Sequence, residues 1–352
     1  MKILLTGGGT MGSVTPLLAI VENMRVKYPE TEFFWIGTVD GPEKMVVDSY
    51  NISFAAINSG KLRRYFSWQN FVDPFRILAG YFQSRKIIKQ WQPDIILSAG
   101  SFVSVPVVYA SGKIPVLIHQ QDIVPGLANK LMAKRAEKIT VTFSESAVIY
   151  SKNKTEVVGN PVRQSLMSGS VEAATEIFSL EGGLPTLLVV GGGTGSLVLN
   201  EAVVGAVPQL TTFCQVIHIT GDGRAVGGEV ATPRYHHYDF LVDEMKDALA
   251  VADVVISRAG LGFLTELAVL GKATILVPMA DSHQETNASY FAKKNAAVIL
   301  PQGQLGPESI VSFVKSLLDN QSDLANLQRN IRSLVKPDAA SRLVEIILQL
   351  TA

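Results

Sequence analysis

The sequence predicts an α/β protein built of two doubly wound parallel-sheet domains facing a cleft, on three observations. A strand running into a glycine turn occurs twice, as LLTGGGTMGS at Leu4 to Ser13 and as LLVVGGGTGS at Leu187 to Ser196. Short runs rich in β-branched and aromatic residues recur at helix-length spacing through both halves, the rhythm of parallel strands with crossover helices. The length of 352 residues, with 47% apolar and 18% charged side chains, suffices for two ordinary cores.

In chain order, the first half offers strands at Ile3 to Leu5, Phe33 to Ile36, Ile95 to Leu97, Val116 to Ile118, Ile139 to Val141 and Val157 to Val158. The second half offers Leu187 to Val190, Val216 to Ile219, Val254 to Ile256, Ile275 to Val277 and Val298 to Leu300. Between them the segment Gly159-Asn160-Pro161-Val162-Arg163 breaks the pattern, and residues 168–183 read as helix plus loop. Near the end Pro337 interrupts a helix, Asp338 can cap a new one, and residues 339–350 have amphipathic spacing. The expected domains are residues 1–161 with 338–352, and residues 162–337, the terminal helix crossing back to the first domain.

Cys214 is the single cysteine, which excludes a disulfide framework or a cysteine metal cluster and fits a reducing compartment. The chain opens on a strand without a leader pattern, and no apolar run reaches about 18 residues, so neither export nor a membrane span is expected. Formal net charge is zero but unevenly spread. Residues 1–160 hold 18 Lys or Arg against 12 Asp or Glu, and the rest hold 13 against 19, giving +6 and −6. The first half is thereby suited to an anionic surface or ligand.

Glycine turns let backbone N–H groups approach a ligand, and the following helix adds partial positive charge, so each turn is expected to hold phosphate oxygens. Residues 7–12 satisfy G-x-G-x-x-G, but after the second strand the chain reads Trp35-Ile36-Gly37-Thr38, without the carboxylate that a dinucleotide ribose needs. The second turn ends in Ser196, and neither has a P-loop ending. The second half has a better constellation. Ser257-Arg258-Ala259-Gly260 follows a strand and opens a helix carrying Glu266, placed to accept both hydroxyls of a ribose while the helix start faces a diphosphate. Gln284 and Asn287, three apart after another strand, can share sugar hydroxyls. Alternatively, Glu266 is a solvated helix residue and Gln284 with Asn287 a capping cluster. His236 and His237 are adjacent, and neighbours on a strand point to opposite faces, so they do not make a metal site. No metal or cofactor is expected.

Beyond these local readings, GGGTMGSVTP, SGKLRRYF, AGSFVSVP, HQQDIVPGLANK, VGNPVR, VVGGGTGSLVLNEA, SRAGLGFLTELAVLGK and HQETNASYFAKKNAA, in this order, resemble the MurG family of peptidoglycan glycosyltransferases. The resemblance implies a GT-B fold of two Rossmann-like domains and inverting transfer of N-acetylglucosamine from UDP-GlcNAc to lipid I, the lipid-linked muramyl pentapeptide, to make lipid II. It implies ribose binding by Glu266, uracil recognition by the backbone at Leu241, and diphosphate contacts at Thr194 and Arg163. Arg258, Gly260, Leu261, Gly262, Phe263, Leu264 and Thr265 would surround the helix start beneath the phosphates, with Gln284 and Asn287 on the sugar. Thr10, Met11 and Gly12 would approach the transferred sugar. Gly9, Gly100, Ser101, Ser104 and Gln120 would lie on the acceptor side.

The sequence departs from the family where the first loop ordinarily ends GGH, here Met11-Gly12-Ser13, and where HEQN reads His119-Gln120-Gln121-Asp122. Two candidate bases are absent. Asp122 adds a carboxylate, expected as the base or as the group orienting the acceptor hydroxyl, with Ser13 as a relay; His119 reads as structural. A weakened sugar-nucleotide-binding protein and a UDP-GlcNAc epimerase of the same architecture are the alternatives. For a lipid acceptor, Tyr65, Phe66, Trp68, Phe71, Phe75, Phe82 and Trp91, interleaved with Arg63, Arg64, Arg76, Arg85, Lys86 and Lys89, are suited to an anionic membrane surface. Nucleic acid is not an expected partner, because stacking platforms lie on strands or loops. The expected location is the cytoplasmic face of the cell membrane, held peripherally.

Overall fold

Strands buried on both faces need continuous aliphatic runs, and those runs form two separate parallel sheets. The structure, a computed structural model, describes residues 1–60, 69–226, 232–336 and 338–352, with side chains described outside 69–72. The first sheet contains β1 (Lys2–Thr6), β2 (Glu32–Gly37), β3 (Ser53–Ala56), β4 (Ile95–Ser98), β5 (Val116–Gln120), β6 (Lys138–Val141) and β7 (Thr155–Val157), in the order 3-2-1-4-5-6-7. The second contains β8 (Thr186–Val190), β9 (Gln215–Ile219), β10 (Tyr235–Tyr238), β11 (Val254–Ser257), β12 (Ala273–Leu276) and β13 (Val298–Ile299), in the order 10-9-8-11-12-13. Every pairing is parallel.

Counted from its own first strand, each sheet runs 3-2-1-4-5-6, the Rossmann order, and the first has one strand more. The strand order reverses between β1 and β4 and between β8 and β11, where ligands of such sheets bind beyond the strand ends. Both glycine turns follow the first strand of such a pair. Thr6 is in register with Ser98, so the turn after β1 leaves the sheet beside the Ala99-Gly100-Ser101 loop. Val190 is in register with Ser257, so the turn after β8 leaves beside Arg258.

Two strands, β3 and β10, fall outside those expected from the sequence, for a physical reason. Both are edge strands, β3 carrying exposed Ser53 and Ala56 and β10 reading Tyr-His-His-Tyr. His236 and His237 pair with Ile217 and His218 of β9.

The chain divides into two compact units, residues 1–163 with 336–352 and residues 164–335. Helix Ala339–Thr351 belongs to the first, burying Leu343, Val344, Ile346 and Ile347. Ser341 accepts from Asn23 and Lys27 on helix Thr15–Lys27, and Arg342 pairs with Glu156 of β7 at 2.7 Å. Asp338 holds the N-cap position, but its side chain makes no cap hydrogen bond; Arg342 N–H bonds its carbonyl instead. Pro337 lies outside the described residues. The two chain crossings run side by side: a Cβ on Gly159, whose φ is +88°, would meet Lys336 Cβ at 2.9 Å, and Lys336 Nζ donates to the Val157 carbonyl.

Candidate functional site

The two glycine turns share a sequence but not a chemistry. In the first, Gly7 N–H bonds the Ile36 carbonyl, Gly8 N–H bonds Ser13 Oγ at 3.0 Å, and Gly9 N–H bonds Glu43 Oε2 at 3.0 Å. The carbonyls are engaged as well: Trp35 Nε1 donates to Gly7 O at 2.9 Å and Ser101 Oγ to Gly8 O at 2.7 Å. The phosphate expected at this turn from the sequence finds no open amide at residues 7–9: all three already have acceptors, one of them a carboxylate, and a second anion against them would be repelled. Ser13 is buried with its hydroxyl facing Gly8 and Thr10, so it closes its own loop rather than relaying a proton. Thr10 is exposed and Met11 and Gly12 half-buried, leaving the tip as the part open to solvent.

The loop after β4 is tied to this turn through Ser101, whose φ of +86° is unusual for a residue with a side chain. Ser104 is fully buried and bonds the carbonyls of Thr6 and Gly100. After β5, Gln120 Oε1 accepts from Tyr150 and Asn129 while its Nε2 donates to the Asp122 carbonyl at 2.6 Å. The side chains of Ser104 and Gln120, expected on the acceptor, hold loops together. Ser146 Oγ also donates to the Asp122 carbonyl, fixing the backbone from which this half-buried carboxylate projects. His119 is fully buried between Thr140 at 3.0 Å and Asn160 at 2.9 Å. It is structural, as its sequence context indicates.

The second turn is open. Gly195 N–H bonds Gly192 O, but the amides of Gly192, Gly193 and Thr194 have no acceptor among the described residues. A Cβ on Gly192 would meet nothing within 4 Å. Gly195 packs directly on Gly221, and a Cβ on Gly221 would lie 2.7 Å from Gly195 N, so the loop after β9 braces the turn from behind. Thr194 is exposed at the tip. Beside it, helix Leu261–Leu270 starts at Gly260 with no side-chain cap, and the N–H groups of Leu261, Gly262 and Phe263 have no partner among the described residues. Two clusters of amides, one after each strand of the reversal pair, are thus left without an acceptor among the described residues, the arrangement that suits an anion.

Arg258 serves that site indirectly. Its Nε and Nη2 donate to Ser196 Oγ at 3.2 and 2.6 Å, and Nη1 donates to Val277 O and Gln302 Oε1. The guanidinium braces three loops instead of gripping a diphosphate, and burial lowers its pKa from the ordinary value. Asn287, fully buried, donates to the Ala259 carbonyl at 3.1 Å, joining helix His283–Lys293 to the same turn. Gln284 folds back to accept from Met279 N–H at 3.0 Å, while Ser282 caps the helix by accepting from Gln284 N–H at 3.2 Å. Thr265 bonds back to the Leu261 and Gly262 carbonyls, and Leu264 and Glu266 are buried on the same helix. Leu241 is buried, and neither its N–H nor its C=O is bonded among the described residues. Arg163 is half-buried and is the last residue of the first unit before the crossing.

Two family descriptions fit the two units in turn: the glycosyltransferase family 28 N-terminal domain over residues 3–141 and the family's C-terminal domain over residues 186–343. The chain belongs to glycosyltransferase family 28. A family 28 relative from Lachnospira eligens, UDP-N-acetylglucosamine--N-acetylmuramyl-(pentapeptide) pyrophosphoryl-undecaprenol N-acetylglucosamine transferase, is 37% identical over 94% of each chain. The enzyme of that name from Clostridium perfringens is 36% identical over 96% of this chain and 98% of its own. The crystal structure of Acinetobacter baumannii MurG superposes with a TM-score of 0.68, at 26% identity over 99% of both chains. A Neisseria meningitidis UDP-GlcNAc 2-epimerase superposes at 0.72 but with 13% identity, which shows a shared fold alone.

Helix Gln69–Trp91 of this family 28 chain carries Phe75, Leu78 and Phe82 at 74%, 54% and 59% exposure, spaced to lie on one side. Arg76, Arg85 and Lys86 are exposed on the same helix, Arg85 donating to Tyr81. Trp91 faces inward against Phe34, ring centroids 5.5 Å apart, and does not join the exposed set. Residues 61–68 and the Phe71 side chain lie outside the described residues. Among the described residues no helix is long and apolar enough to cross a membrane.

Sequence reasoning passed over Glu43, which lies outside the glycine motifs, and the bond between Ser196 and Arg258, two motif residues whose contact with each other the sequence does not display. The buried histidines give a testable consequence. His218 bonds Tyr235 and Asn200, whose amide holds the Thr220 carbonyl at the loop bracing the second turn. Burial lowers the pKa of His119 to about 4, the Asn160 bond opposing it; burial and nearby His237 lower that of His218 to about 4. Between the ordinary 6.5 and about 4, the unfolded chain takes up protons at both sites and the folded chain does not. Stability therefore falls on acidification through that window, by about 3 kcal/mol per histidine. Urea midpoints measured from pH 7 to pH 4 should show the decline, and His218→Gln, which leaves the share of His119, should reduce it by about half.

Proposed function

We propose that this chain transfers N-acetylglucosamine from UDP-GlcNAc to lipid-linked muramyl pentapeptide, inverting the anomeric centre and forming lipid II. The observation that carries this reading is near-full-length identity to transferases of that name, 37% and 36% over at least 94% of the chain. The anion site of the second unit supports it. The donor diphosphate would lie against the amides of residues 192–194 and 261–263, with Arg163 supplying a cation, Glu266 holding the ribose and the Leu241 backbone meeting the uracil. Gln284 and Asn287 would turn toward the sugar hydroxyls from their present loop bonds, and Thr265 would keep the helix start in shape. Negative charge that develops on the departing diphosphate is met by dipoles already fixed in place.

The acceptor reading assigns the hydroxyl to the loops after β1, β4 and β5, around Gly9, Gly100 and Ser101. Asp122 would be the carboxylate that takes its proton, acting without Ser13. The apolar face and cations of helix Gln69–Trp91 would rest on an anionic lipid surface, placing the enzyme peripherally on the cytoplasmic side of the membrane, where a lipid acceptor is available. Aromatic and aliphatic side chains would enter the headgroup boundary while cations meet lipid phosphate.

Release of UDP from UDP-GlcNAc should depend on a lipid I analogue, and labelled sugar should appear on lipid; sugar remaining on UDP would instead point to epimerase chemistry. Glu266→Ala should weaken UDP-GlcNAc binding about 10- to 100-fold by calorimetry, and unaltered affinity would move the ribose elsewhere. Asp122→Asn should lower kcat by about 10²-fold or more, while turnover within about threefold of the parent would remove it as the base. Sedimentation with vesicles containing anionic lipid should weaken in high salt and in Phe75→Ser/Arg85→Glu; unchanged binding would exclude this face.

A further inference from the structure

Glu43 is the most deeply buried carboxylate among the described residues, at 0% exposure. Its Oε2 accepts from Gly9 N–H at 3.0 Å, and its Oε1 accepts from Thr38 N–H at 2.6 Å and from the Thr38 hydroxyl at 2.5 Å. Glycines make the space it occupies. A Cβ on Gly8 or Gly41 would overlap the carboxylate, and one on Gly37 would lie 3.0 Å from Oε1. Backbone pressed closely around an anion, with N–H groups aimed at it, is the geometry of a phosphate turn. Here the protein supplies the anion itself.

A charge removed from water is tolerated when its lone pairs are met by donors, and three donors meet this one. With the other bonds at Gly7, Gly8 and Ser101, they fix the base of the first turn and leave residues 10–12 as its projecting tip. We propose that Glu43 is a positioning residue for sugar transfer: its carboxylate fills the anion place of the first glycine turn, so that this turn presents a fixed tip instead of binding phosphate. The inference rests on the transferase reading above. It separates the duties of the two turns, the second taking the donor diphosphate and the first setting geometry for the transfer.

Glu43→Gln is the test, because it keeps shape and leaves one oxygen for Thr38 while turning an N–H group toward Gly9 N–H. Misplacing a positioning element lowers kcat, here by about 10- to 100-fold, while the Kd for UDP-GlcNAc, set in the second unit, stays within about twofold. Hydrogen exchange at the Gly9 amide should accelerate about tenfold or more in the same variant. If Glu43→Gln does not fold, Thr38→Val, which removes one donor without changing shape, should lower kcat in the same direction with donor Kd unaltered. Unchanged kcat in the folded variant, or a donor Kd weakened by the same factor as kcat, overturns the proposal. A parent chain that makes no lipid II defeats the transferase reading and this inference together, whereas an active parent equalled by Glu43→Gln defeats this inference alone.

Discussion

The structure depends on which backbone N–H groups at the two strand-order reversals are satisfied from within. A parallel sheet delivers strand ends side by side at each reversal, and the glycine turns there expose amides that require an acceptor. At β1 the acceptors are Ile36, Ser13 and Glu43; at β8 the amides of Gly192 to Thr194 have no acceptor among the described residues. One topology, used twice, thus yields a closed turn and an open one.

The open turn is braced by contacts within the second unit. Arg258 holds Ser196, Val277 and Gln302, Asn287 holds the Ala259 carbonyl, and the Gly195 to Gly221 contact stops the turn from collapsing backward. Because these groups are bonded within the protein, the backbone of the turn is held in shape by its own neighbours, the condition for dipoles to be fixed in advance of a reaction. The side chains that a sequence motif marks as binding residues and those that shape the site are consequently mixed along the same short segments.

Much of this was legible in the chain because periodicity reports burial. The central strands of both sheets are apolar on both faces and stand out in the sequence, whereas β3 and β10 sit at edges, bury less and carry Ser53 or His236 and His237. The placement of Glu266 on a helix following a strand, and of His119 as a core residue, could be read from neighbouring residues. What Ser13, Gln120 and Arg258 do could not, because a hydroxyl, an amide or a guanidinium has the same letter whether it faces a ligand or a carbonyl of its own loop. Glu43 was hidden for the related reason that its partners, Gly9 and Thr38, are brought to it by the pairing of β1 with β2.

Helix Ala339–Thr351 completes the unit that the first residues begin, with Ser341 bonded to Asn23 and Lys27, and Thr351 near Met1. During synthesis, the amino-terminal sheet emerges from the ribosome long before the piece that covers helix Thr15–Lys27. The later-made unit, continuous in sequence from 164 to 335, has all its parts available first. The amino-terminal half consequently keeps an uncovered apolar flank until residues 339–351 have left the ribosome and can dock.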